Sequence, residues 1–187
     1  MNKLRLFIFL LAAGFLIQSC TKDTQSAVAF SSQPFQANIN GSSWVPDTVS
    51  TSITYNPADQ SKTFYCSGQK NQKQVIFSVK LNNSTNTPGF ATGTFNIDSV
   101  NVFAQYNVQQ LNGSGNLVFV PHGEVKPGSG SIMITSVDSV KKQISGTFSF
   151  YSRSTQYDNQ GNVISTTVDN ITAGQFENLP YQFYNNQ

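Results

Sequence analysis

The chain predicts an all-β fold, an antiparallel β-sandwich of about 10–12 strands, with a calycin-like β-barrel as the alternative closure. Three observations predict it. Apolar and polar residues alternate with a period of two through most of the chain after Pro34, the pattern of strands with one buried face. Clusters of Asn, Asp, Gly, Pro and Ser interrupt these runs every ~8–12 residues. No segment in that region carries the 3.6-residue apolar repeat of an amphipathic helix.

The first strands come from FQANINGSSWV, where Asn40-Gly41 separates two short runs. This pair tolerates positive φ at both central turn positions and is the strongest short hairpin signal. In VSTSITY, Val49, Thr51, Ile53 and Tyr55 share one face; NPAD then turns the chain into KTFYC. QVIFSVKL puts Val75, Phe77, Val79 and Leu81 on one face, and NNSTNTPG is a loop. FATGTFNI and SVNVFAQYNV follow, the second alternating through Val100, Val102, Ala104, Tyr106 and Val108. LNGSGN turns into LVFV, and the loop HGEVKPGSG leads to SIMITSV and ISGTFSFYS. In the last of these Ile144, Gly146, Phe148 and Phe150 lie on one side. YDNQGN is a further turn, before VISTTVDNI and a final AGQFENLPY.

The N-terminus differs in kind. Lys3 and Arg5 precede a wholly apolar run from Leu6 to Ile17, 12 residues long. A membrane-spanning helix needs roughly 20 residues, whereas this length and positive flank suit a secretory signal peptide. The run ends Ile17-Gln18-Ser19-Cys20, which resembles the lipobox of bacterial lipoproteins. The resemblance implies diacylglyceryl transfer to the Cys20 sulfur and cleavage before it. Two or more acyl chains anchor a protein stably at about 0.8 kcal/mol per buried CH₂, where one chain is marginal. The predicted organisation is a signal peptide over 1–19, a lipidated tether over 20–33 and one all-β domain over 34–187. The tether is rich in small polar residues and has no sustained period.

Processing changes the charge. The formal +2 includes Lys3 and Arg5, so the mature chain is neutral, with no basic stripe for nucleic acid. Its expected membrane contact is through the lipid alone, and the domain is expected to be a monomer. Charged residues are only 11%, against roughly 25% in an average domain; Ser, Thr, Asn and Gln cover the surface instead. Cys66 is left without an intramolecular disulfide partner and reads as a small buried hydrophobe.

Chemistry is sparse. One histidine and one remaining cysteine cannot build a zinc site, and no cofactor motif is present. At YDNQGN, Asp158 and Asn159 read as an Asx-type turn with Gly161 at positive φ, in preference to calcium ligands. His122, in VPHGEV, reads as a surface histidine that Glu124 would orient. No catalytic residue is assigned. Trp44 is a candidate stacking surface for a sugar ring, although its place beside Val45 and Pro46 suits a core anchor better. Tyr55, Tyr65, Tyr106, Tyr151 and Tyr157 are the other stacking candidates.

One tripeptide recurs: Asp47-Thr48-Val49, Asp98-Ser99-Val100 and Asp138-Ser139-Val140. It is similar to the O-glycan attachment motif of exported Bacteroidota proteins, which makes Thr48, Ser99 and Ser139 candidate glycosylation sites. The competing explanation is that Asp-Ser/Thr pairs close local turns at strand ends.

Two stretches together, F-x-A-x-I-N-G-x-x-W from Phe35 to Trp44 and GSIMIT…ISGTFSF…ITAGQFENLPY, resemble a family of Bacteroidota cell-envelope lipoproteins with no established activity. The resemblance spans most of the mature chain. It implies an outer-membrane, lipid-anchored β-domain and supplies no catalytic residues. The expected function is a non-catalytic binding or structural module with a glycan or protein ligand. The alternatives are a lipocalin-like carrier of a small apolar ligand, which needs an interior cavity, and a surface hydrolase acting on glycans, which needs two carboxylates flanking a cleft.

Overall fold

The computed structural model describes residues 34–186. The segments read from the sequence as a signal peptide (1–19) and a tether (20–33), with Cys20, lie outside the described residues. Twelve strands follow one another: β1 (Phe35–Ile39), β2 (Ser42–Trp44), β3 (Thr48–Asn56), β4 (Ser61–Lys70), β5 (Lys73–Leu81), β6 (Gly93–Asn96), β7 (Val102–Leu111), β8 (Leu117–Pro121), β9 (Gly130–Asp138), β10 (Gln143–Tyr157), β11 (Val163–Pro180) and β12 (Gln182–Asn185). They form two six-stranded sheets, ordered β2-β1-β11-β10-β9-β6 and β12-β3-β4-β5-β7-β8.

The sheets face each other and do not close, so the fold is a sandwich rather than the barrel alternative. Side chains fill the space a barrel would leave open. Phe77 of the second sheet meets Phe148 at 4.8 Å and Phe176 at 5.7 Å between ring centroids, and Phe64 meets Phe176 at 5.9 Å. Ile53, Val75, Val79, Ile132 and Ile171 complete a core with no solvent exposure at those positions. Burying each such side chain contributes roughly 1.5–3 kcal/mol before the ordering cost is counted. Cys66 sits in this core, and burial pushes its thiol pKa well above the ordinary value.

Two glycines are required by the aromatic packing. In the β10–β11 ladder Gly146 faces Phe176 and Gly174 faces Phe148. A Cβ at Gly146 would lie 2.4 Å from the Phe176 ring, and one at Gly174 would lie 2.5 Å from the Phe148 ring. Each phenylalanine covers the bare backbone of the glycine opposite, which returns packing to a position with no side chain.

The Asn40-Gly41 turn is a tight hairpin with φ of 53° and 78°, as its sequence demands. Longer loops are closed by acidic or amide side chains. The Asp98 carboxylate accepts from the backbone N–H of Val100, Asn101 and Val102 at 2.7–2.9 Å. This holds its pKa down to about 2, with the Val102 bond the largest cause. Asp158 accepts from Gln160 and Asn162, with Gly161 at φ 85°, which is the expected Asx turn.

The structure departs from the sequence expectation in three places. Val100 is 80% exposed, because the Asp98 loop holds it outside the strand. The separate C-terminal runs join into one 18-residue strand, β11. Ala173 and Asn178 adopt φ of 48° and 47° within it, and such irregularities hide the alternation by shifting register. The pairing is not wholly antiparallel: β12 runs parallel to β3. Tyr181 alone separates β11 from β12, so the chain crosses from one sheet to the other without a hairpin.

All four sheet edges are short strands, with 3 residues in β2, 4 each in β6 and β12, and 5 in β8. These short strands offer little template for pairing with another chain, whereas at the far end of the β10–β11 hairpin, β10 after Arg153 and β11 before Asp169 pair only with each other.

Candidate functional site

A groove of about 600 Å³ lies where β12 joins β3 and β4, lined by Val49, Ser50, Thr51, Ser52, Tyr65, Pro180, Tyr181, Gln182 and Tyr184. Strand alternation builds it. Ile53 and Tyr55 of β3 point into the core, so Ser50 and Ser52 point out. Phe64 and Cys66 are buried, which turns Tyr65 outward on β4. Phe183 packs against the core, which turns Gln182 and Tyr184 outward on β12. The registers Ser52↔Tyr65 and Ser52↔Gln182 set one residue from each of three adjacent strands in a row. Tyr184 lies opposite Thr54, farther along the same edge.

The floor is held by hydrogen bonds. Thr51 Oγ1 donates to the Pro180 carbonyl, and Tyr184 Oη donates to Gln182 Oε1. Tyr181 Oη reaches the Pro88 carbonyl at 2.7 Å, which fixes the crossing between the sheets. The lining has three tyrosines and several hydroxyl and amide groups, and none of its residues carries a charge at neutral pH. A shallower hollow of about 370 Å³ lies on the outer face of the first sheet, where Glu177 is the single carboxylate in its lining.

His122 belongs to a different arrangement from the one expected. Its Nδ1 lies 2.6 Å from the Asp169 carboxylate, while Glu124 pairs with Lys126 at 3.4 Å. Asp169 is 5% exposed and also accepts from Asn40 Nδ2 at 2.8 Å. Ser152 Oγ donates to the His122 backbone carbonyl at 2.7 Å. Asp169 lies on β11 of one sheet, and His122 directly follows β8 of the other. The network therefore ties the two sheets together. The serine hydroxyl is bonded to a carbonyl rather than to the imidazole, so the three side chains do not have the relay of a nucleophilic triad.

Trp44 is 7% exposed and packs edge-on against Phe35 at 6.2 Å. It is a core residue and gives no stacking surface. Tyr55 and Tyr106 are also core residues, at 9% and 3% exposure. Tyr151 and Tyr157 are exposed on the long β10–β11 hairpin. Tyr65 alone among the expected tyrosines lines the groove, joined by Tyr181, Gln182 and Tyr184, which sequence reasoning missed. Their only signal is the weak alternation of YQFYN at the chain end. Thr48, Ser99 and Ser139 are all exposed. At two of the three tripeptides the aspartate closes its own loop: Asp98 as described, and Asp138 by accepting from Val140 and Lys141. Among the described residues no group of three or more His, Cys, Asp or Glu side chains could hold a metal ion.

Residues 31–180 match the family described as Domain of unknown function (DUF6252), and the chain belongs to that family. No curated protein and no solved structure matches the chain.

Proposed function

We propose that the protein is a non-catalytic binding module of the bacterial cell envelope, held at the outer membrane by lipid on Cys20. The observation that carries the binding role is the uncharged, aromatic-walled groove between β4, β3 and β12. Its lining lacks the paired carboxylates that glycoside hydrolysis uses. The filled phenylalanine core gives no support to a carrier of small apolar ligands.

The anchoring rests on the lipobox at Ile17–Cys20. The Cys20→Ala variant is expected to leave the detergent phase; a variant that stays with membranes at the wild-type size overturns the anchoring. For the binding role, the full chain is applied to detergent-solubilised envelope and to released envelope polysaccharide. Ser52→Arg, which fills the groove with a large charged side chain, is expected to abolish retention. Equal retention by wild type and variant removes the groove from the account.

The same reading includes O-glycans at Thr48, Ser99 and Ser139, supported by their exposure, since a bulky sugar requires a surface hydroxyl. The intact mass from the native host should exceed that of the lipidated polypeptide, and the triple alanine variant should lose the excess. A mass equal to the lipidated polypeptide removes this element.

A further inference from the structure

We infer that the groove at β4–β3–β12 takes a neutral saccharide, seated between the rings of Tyr65 and Tyr184 and hydrogen-bonded from Ser50, Ser52 and Gln182. The inference rests on the binding role proposed above and names its ligand class.

Charge comes first. A phosphate, sulfate or carboxylate ligand calls for Arg or Lys in the lining, and a cationic one calls for Asp or Glu. Neither is present. An apolar ligand would want aliphatic walls, yet most of this lining carries a hydroxyl or an amide. A sugar fits both halves of the surface. Its ring C–H face is apolar and packs flat on an aromatic ring, while its hydroxyls donate and accept in the ring plane.

The spacing agrees. Strands in a sheet lie about 4.8 Å apart, so β12 stands ~10 Å from β4 across β3. Tyr65 rises on one side and Tyr184 on the other, with Ser52 between Tyr65 and Gln182. Tyr184 is staggered two residues along β12 from that row, and a spacing of this order accommodates a sugar ring or two. Gln182 is already oriented, because its Oε1 accepts from Tyr184 Oη, leaving Nε2 to donate to a sugar oxygen. Tyr184 is 48% exposed, so its ring is open to a ligand. Both tyrosines lie on strands, where only side-chain rotamers need ordering on binding.

Affinity electrophoresis tests this with the full-length protein in a non-ionic detergent that has no sugar headgroup. The gels contain mannan, xylan, a β-glucan or dextran, with dextran sulfate as the anionic probe. At least one neutral polymer is expected to retard the protein, by the same amount at about 50 and 500 mM salt, because screening affects only charged partners. Tyr65→Ala and Tyr184→Ala should each weaken binding at least about tenfold, the effect of removing an anchoring aromatic, with melting temperatures close to wild type. Tyr65→Phe should retain most of the affinity. No retardation by any neutral polymer, or retardation unchanged in both alanine variants, overturns the inference. Retardation by dextran sulfate alone also overturns it. If neutral polymers fail while Ser52→Arg still abolishes retention of envelope material, the saccharide is wrong and the binding role stands. If Ser52→Arg changes nothing either, both fall.

Discussion

Asp98 shows how one side chain shapes a loop and leaves a mark on pH dependence. Its carboxylate accepts from three backbone N–H groups and its pKa is held near 2 against an ordinary 3.8. A carboxyl whose folded pKa is depressed adds stability above its unfolded pKa and loses it as pH falls through the folded value. Thermal melting should therefore decline between pH 4 and 2, and Asp98→Ala should show a smaller decline over that window from a lower melting temperature at pH 7. Identical acid profiles for the two proteins would contradict the loop's dependence on the charge. The same residue explains why the Asp-Ser-Val tripeptide was ambiguous in sequence: turn closure and glycan attachment ask for the same residues. His122 was equally illegible. Its partner Asp169 is 47 positions away, whereas the acidic neighbour visible in the sequence, Glu124, binds Lys126 instead.

Among elements, the β10–β11 hairpin organises the first sheet. Its reciprocal Gly–Phe pairs require bare backbone beneath each ring. Gly174→Ala places a Cβ 2.5 Å from both the ring and the carbonyl oxygen of Phe148. Overpacking of this kind costs about 1–3 kcal/mol, and the melting temperature should fall by roughly 3–10 °C for a domain of this size. Gly113, in the β7–β8 turn, has nothing within 4 Å of an added Cβ, and Gly113→Ala should shift melting by about 1–2 °C at most. Equal effects at the two sites would contradict the packing account. The alternation of ISGTFSFYS puts Gly146 on the same face as Phe148 and Phe150, and all three are buried in β10. The alternation does not reveal the glycine's purpose, because the covering ring comes from Phe176, 30 residues later. The length of β11 was hidden for a related reason. Positive φ at Ala173 and Asn178 breaks the period by which strands are recognised; alanine gives no sign of it, and Asn178, although a residue type that tolerates it, has no turn partner such as the Gly41 that follows Asn40.

At the scale of the whole molecule, period-two runs and turn residues were enough to predict a β-sandwich, because both are local. What they left out depends on contacts between distant segments. The second sheet is completed by a C-terminal strand pairing in parallel with β3, and the groove exists only because Tyr184 and Tyr65, 119 positions apart, arrive on one surface. Trp44, a stacking candidate whose place beside Val45 and Pro46 favours the core, is enclosed against Phe35. The proposed recognition at the β4–β3–β12 surface belongs to this scale, because three strands from distant parts of the chain build it. Its most direct test is an NMR titration of the ¹⁵N-labelled protein with released envelope polysaccharide. The account predicts amide shifts confined to Ser50, Ser52, Tyr65, Gln182 and Tyr184 and their immediate neighbours. Shifts centred on Ser136, Ser145 and Glu177 in the hollow of the first sheet, or no shifts at saturating polysaccharide, would contradict it.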